Sequence, residues 1–403
     1  MCDGRRCSTI ANLVRALRLG VHIHGEQVAM RRRRNILVIG SLAIFAASLL
    51  ARAEPKPDPT LDVIEAITVE ARVIDSFDRT DATRKTFGKL EFRGGLVLSS
   101  ASKNFGGWSA LAVDPDGRRL LAISDTGVWM TGEIAYAGLG HKPTGIRNAR
   151  IGPLLGTNGL PPKSERDRDS EGVTVIEGSL AKGTILISFE RNHRLASFPV
   201  SDKGVGRQIA TLALPPEVKR QSSNKSLESV CTIMGGSNKG AIVTLSERFP
   251  NKDGSHTGWM YPGTAANGVA AITTATGWKT LSITNIGDYD LTDCHGLADG
   301  SLLVLERRFR WSSWYEGVKG RLRRFSPEEL RTGRLEGEIL LDVDLGQEID
   351  NLEGLAVHKG PKGETVLTMI SDDNFNQVLQ RTVLLQFTLP DAVLADPAKT
   401  ARK

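Results

Sequence analysis

Helix-forming runs are scarce in this 403-residue sequence, and so are aromatic residues, at 5%. The 42 glycines fall between short apolar runs, which favours many strands joined by tight turns over packed helices. Cysteine is nearly absent past Cys2 and Cys7, with Cys231 and Cys294 alone remaining. No CxxC pair exists, so a structural zinc site has no framework. An oxidising compartment would permit a Cys231–Cys294 disulfide, and two buried free thiols are the alternative. Also missing are a G-x-S-x-G elbow, a P-loop and a strand-linked G-x-G-x-x-G, which disfavours nucleophile-elbow esterases, P-loop enzymes and dinucleotide enzymes. What remains is 40% apolar residues in a long chain, enough for a sizeable core and incompatible with disorder.

The net charge of +6 invites a nucleic-acid partner, but its distribution removes that reading. Residues 1–53 hold nine of the 52 basic residues and only two of the 46 acidic ones, Asp3 and Glu26. The rest of the chain therefore carries 43 basic and 44 acidic residues and has no basic domain for nucleic acid. Arg31–Arg34, the apolar stretch 36–50 and Ala51-Arg52-Ala53 form the three parts of a secretory signal. The apolar run is short of the ~20 residues that span a bilayer, so cleavage is expected over a permanent anchor. Arg33-Arg34-Asn35-Ile36-Leu37 also fits a twin-arginine signal, and Met30 would begin a normal leader. The expected organisation is a leader over 1–53, a linker and closing strand over 54–87, one domain over 88–390 and a tail over 391–403. A periplasmic or secreted location is expected, with no stable membrane span in the mature monomer.

A repeat runs through that domain. Asp169-Ser170-Glu171-Gly172 leads to Ser188-Phe189-Glu190-Arg191, Ser226-Leu227-Glu228-Ser229 to Leu245-Ser246-Glu247-Arg248, and Asn351-Leu352-Glu353-Gly354 to Ile370-Ser371-Asp372-Asp373. In all three the first Glu and the later acid lie 19 residues apart. Looser copies run from Ser109 to Asp125 and from His295 to Glu306-Arg307, so equivalent points recur at intervals of 57 to 67 residues. Each unit reads as a hairpin of half-buried strands with room for two more strands. Four-stranded units at a regular period make a β-propeller. An all-β, single-domain propeller of five or six blades is expected, with segments 63–74, 90–98 and 382–389 available to close a sixth. The one clear helix signal is Pro327–Thr332.

The first strand of a propeller blade lines the central channel, so residues recurring on it form a ring. Glu171, Glu228 and Glu353 would converge there, with Ser109 and His295 at equivalent points. Three carboxylates on one axis need a cation or protons, and hard oxygen ligands favour Ca²⁺, Mg²⁺ or Mn²⁺. Glycine after the glutamate would let the backbone bend near the ion. His295 is the candidate general acid–base beside Glu171. Arg191, Arg248 and Arg307 either join blades through ion pairs or face an anionic substrate. Asp288, Asp290 and Asp293 suggest a calcium loop without matching an EF-hand.

The stretches Phe92-Arg93-Gly94-Gly95-Leu96, Phe105-Gly106-Gly107-Trp108-Ser109 and Ser124-Asp125-Thr126-Gly127 resemble the opening of the bacterial phytase-like propeller family. Its members are often labelled as having esterase-like activity of phytase. The Glu171, Glu228, Glu306 and Glu353 motifs continue the resemblance over roughly 88–390. It implies a secreted propeller hydrolysing a phosphoester or other ester with the help of a divalent ion, most readily Ca²⁺, and a small anionic or ester substrate. The alternative is a non-catalytic propeller that binds a ligand or envelope partner and uses its acids structurally.

Overall fold

A computed structural model describes residues 61, 63–138, 142–220, 225–263, 274–309 and 317–395. The expected leader lies outside the described residues, and none of the described helices is long and apolar enough to cross a membrane.

The short apolar runs become strands, and the strands form five antiparallel sheets arranged as the blades of a β-propeller. Blade 1 runs outward through Trp108–Val113, Arg119–Ser124, Val128–Ala137 and Lys142–Pro153. Blade 2 follows with Ser170–Ser179, Lys182–Phe189 and Arg194–Ser201, edged by two short strands. Blade 3 comprises Leu227–Thr232, Ile242–Pro250, His256–Tyr261 and Lys279–Ile283. Blade 4 comprises Asp290–Gly296, Leu302–Phe309, Val318–Phe325 and Glu338–Val343. Blade 5 takes Asn351–Lys359, Thr365–Asp372 and Thr382–Leu389 from the C-terminal part and Leu90–Ser99 and Glu70–Ile74 from the N-terminal part.

The innermost strands touch in the order 1–2–3–4–5–1, so five blades close the ring. Of the N-terminal segments available for a sixth blade, Glu65–Ala66 edges blade 1, while Glu70–Ile74 and Leu90–Ser99 complete the fifth, because Leu90–Ser99 pairs directly with Thr382–Leu389. Pro327–Thr332 is the expected helix, begun by a Ser326–Glu329 capping box and ended by Gly333 at φ 82°.

Alternation of side chains along each strand supplies two apolar faces, one for each neighbouring blade. In blade 2, Ile185 and Ile187 pack toward blade 1 with Ile123 and Trp129, while Leu186 packs toward blade 3 with Trp259. In blade 4, Leu302 and Val304 face blade 3, and Leu303 and Leu305 face blade 5. Five separate apolar clusters result, one in each gap between blades.

The glycines on the inner strands do something other than bend the chain at an ion. A Cβ on Gly172 would lie 2.6 Å from the Val230 amide nitrogen, and one on Gly354 would lie 2.9 Å from that of Leu111. Neither residue has a positive φ. They let adjacent inner strands approach backbone to backbone. Cys231 and Cys294 form a disulfide across the inner strands of blades 3 and 4, with Cα atoms 5.7 Å apart. The thiols are paired, and the free-thiol alternative falls.

Candidate functional site

Every inner strand carries a β-bulge near its start. Ser188 pairs with Gly172 and Phe189 with Ser170, so Glu171 is the extra, unpaired residue. The same interruption extrudes Ser109, Glu228, Thr292 and Glu353 in the other blades. Bulges re-aim side chains, and here the five re-aimed positions lie at one end of the inner strands. Beside them, in the later part of each second strand or just past it, stand Asp125, Glu190, Glu247, Arg307 and Asp372. Each directly follows the residue paired just before the bulge.

Blade 4 departs from the pattern twice. Its bulge residue is Thr292, and His295 lies three residues further along the strand, on the order of 10 Å away. There His295 Nδ1 is 2.8 Å from the Gly296 carbonyl oxygen, and burial depresses its pKa to about 4. The second position holds Arg307 where the other blades hold an acid. Glu306 instead points between blades 3 and 4 into a fully buried ion pair with Arg323.

Two groups of carboxylates form at the seam between blades 2 and 3. Asp169, Glu171 and Glu190 each offer an oxygen within 4.8 Å of the others, and so do Glu190, Glu228 and Glu247. Glu190 belongs to both groups, and all five side chains are buried. Burial, then the nearby charges of Asp169 and Glu247, push the Glu190 carboxyl up to about 8. Burial, with Glu247, Glu171 and Glu190 around it, also raises Glu228 well above the carboxylate range. Burial raises Glu247 as well, against the pull of Arg307.

The hydrogen bonds around these acids are uneven. The Ser226 amide donates to Glu190 at 3.3 Å, and the Ser226 hydroxyl lies 2.8 Å from His193 Nδ1. Glu247 meets Lys225 at 3.7 Å and Arg307 at 3.4 Å. Glu228 is 6% exposed, and among the described residues no donor bonds to its carboxylate. An all-oxygen set in which one carboxylate has no hydrogen-bond donor suits a hard divalent cation.

Glu171 and Glu228 thus enter the clusters, one in each. Glu353 does not, being hydrogen-bonded by Arg307 and, at 2.8 Å, by the Asn351 side-chain amide. Arg191 pairs with Glu165 at 2.7 Å and Asp169 at 2.9 Å. Arg248 crosses from blade 3 to Asp288, at 3.2 Å, and Asp290 of blade 4. These pairs occupy two acids of the suspected calcium loop. The third, Asp293, accepts from the backbone amides of Leu355 at 2.7 Å and Cys294 at 2.8 Å.

Sequence reasoning overlooked Asp169 and His193 as members of the site and singled out neither Glu190 nor Glu247 as a ligand. The constant 19-residue interval was the available signal for the last two, because it sets each of them beside a bulge glutamate.

The family model for phytase-like proteins, esterase-like activity of phytase, matches residues 103–375, about two thirds of the chain. No curated protein matches it. The matched span runs from just before the first inner strand to just past Asp372 and includes both carboxylate clusters. With five closed blades and the repeated acidic motifs inside that span, the chain belongs to the phytase-like family.

Proposed function

We infer that the protein is a divalent-metal-dependent hydrolase of a phosphoester or another ester, acting in the periplasm or outside the cell. The observation that carries this reading is Glu228, a buried carboxylate without a hydrogen-bond donor, set among Glu171, Glu190 and Glu247. Asp169, Glu171, Glu190, Glu228 and Glu247 would hold the ion. When bound, such an ion polarises an ester oxygen and lowers the pKa of a coordinated water. Glu190 is shared by the two groups and would bridge them as a ligand. Ser226 fixes it through the backbone amide, and His193 fixes the Ser226 hydroxyl. Arg191 and Lys225 stand partly exposed beside the acids and would bind the anionic part of a substrate. A disulfide and an export-type leader both support a location outside the cytoplasm.

The rival binding-module reading asks for acids engaged by an arginine from an adjacent blade. Glu247 and Glu353 meet that condition through Arg307, whereas Glu190 and Glu228 do not. The test is calorimetric titration of Ca²⁺, Mg²⁺ and Mn²⁺ into chelator-treated protein and its Glu228→Gln variant. Binding in the micromolar range that the variant loses supports the centre and leads to a screen of phosphate and carboxylic esters. Absence of binding by the unaltered protein overturns the reading.

A further inference from the structure

We propose that Arg307 is a tethered counter-ion that stands in for a second metal ion and confines the centre to the seam between blades 2 and 3. The inference rests on the metal-site reading above. Four blades place an acid directly after the second-strand residue paired just before the bulge, namely Asp125, Glu190, Glu247 and Asp372, and the fourth blade places Arg307 there. The same blade replaces the bulge acid or serine with Thr292, so its share of the ring supplies a cation and no anion.

The guanidinium reaches both ways around the ring. Nη1 donates to Glu353 and, at 2.8 Å, to the Asn351 side-chain oxygen in blade 5, while Nη2 lies 3.4 Å from Glu247 Oε1 in blade 3. It thereby ties together two carboxylates that would otherwise face each other across blade 4. A guanidinium keeps its charge in a protein, and Glu353 and Glu247 lie within ion-pair distance of it on either side. The two clusters and Glu353 bring six acidic groups, against which Arg191, Lys225 and Arg307 set three cations. The excess is acidic, as a divalent ion requires. A planar fork also differs from a metal in kind, since it holds its carboxylates in fixed directions and leaves no open position for water or substrate.

The experiment titrates Ca²⁺ and Mn²⁺ into the chelator-treated full chain, as wild type, Arg307→Gln and Arg307→Lys, with melting temperatures recorded in parallel. One ion per wild-type chain is expected. Arg307→Gln should take up a second ion, or bind the first at least about 10-fold more tightly, with a larger ion-dependent rise in melting temperature. Arg307→Lys should keep the wild-type stoichiometry. A folded Arg307→Gln protein with unchanged stoichiometry and affinity overturns the proposal. If that variant folds only when Ca²⁺ or Mn²⁺ is added, the counter-ion role is supported, and failure of both cations to rescue it overturns the role. Binding by Arg307→Gln but not by wild type would sink the hydrolase reading and keep the counter-ion, while no binding by either sinks both.

Discussion

Raising the pH of the metal-free protein should weaken its fold through Glu190. The folded protein holds this carboxyl at about 8, against an ordinary 4.5. Between those values the folded state keeps a proton that the unfolded chain has released, so stability falls as pH rises. Over the whole window the loss would reach about 5 kcal/mol. Its lower part is opposed by His295 and His358, whose burial depresses both to about 4 from an ordinary 6.5. Those histidines bind protons only when the chain unfolds, so their contribution rises with pH and levels off about a unit above 6.5. From pH 6.5 to 9 they still offset a few tenths of a kcal/mol each, and the net loss is about 1 kcal/mol. With about 2 cal/mol/K of unfolding entropy per residue over roughly 330 residues, that is a fall of about 2 °C. Thermal melts in chelator at half-unit pH steps would measure it. Glu190→Gln should flatten the slope, and saturating Ca²⁺ should flatten it in the wild type by taking the place of the proton. A melting temperature that is level or rising from pH 6.5 to 9 in chelator would refute the reasoning, as would a Glu190→Gln protein that follows the wild type.

Other perturbations test the frame that holds the site. Replacing Cys231 and Cys294 by Ser opens a link between residues 63 apart. By chain entropy this should cost about 4 kcal/mol, seen as a melting temperature that no longer responds to reductant. Gly172→Ala drives a methyl against the Val230 amide and the Ser229 Cα; a destabilisation of about 1–3 kcal/mol is expected. Calorimetry should also show weaker metal binding, because Glu171 is its neighbour. Arg323→Met leaves the fully buried Glu306 carboxylate with only the distant Arg321, at 3.9 Å, and denaturant melts should lose about 3 kcal/mol.

The propeller was legible because each strand needs two apolar faces, and the resulting alternation between turns survives in the residues themselves. The ring acids were legible where hairpins have equal length, which is why 171/190, 228/247 and 353/372 share one interval. The hairpins of blades 1 and 4 are shorter, so the interval does not reach Thr292 and Arg307, and a chemically attractive His295 took the place of a threonine. A bulge is a matter of register and leaves no residue type behind. Glu353 illustrates a second limit, because its motif matches the others and only the position of Arg307 shows that its charge is already balanced. The blade count was ambiguous because half of blade 5 lies about 250 residues from the other half, a pairing that local pattern does not announce. The disulfide stayed open beside the free-thiol alternative for the same reason, since its cysteines meet only when blades 3 and 4 dock.

The composite fifth blade also sets a timetable. Leu90–Ser99 is made early, yet the strand it must pair with, Thr382–Leu389, is the last one synthesised. At ~5–20 residues per second the interval is on the order of 15–60 s. During that time an apolar strand has one edge open to any passing partner. The circle is sealed only after nearly the whole chain is available, so the nascent protein must be kept apart from its copies until its two ends meet. A chain truncated before Thr382 would lack the clasp altogether, and aggregation rather than a four-bladed remnant is its expected fate.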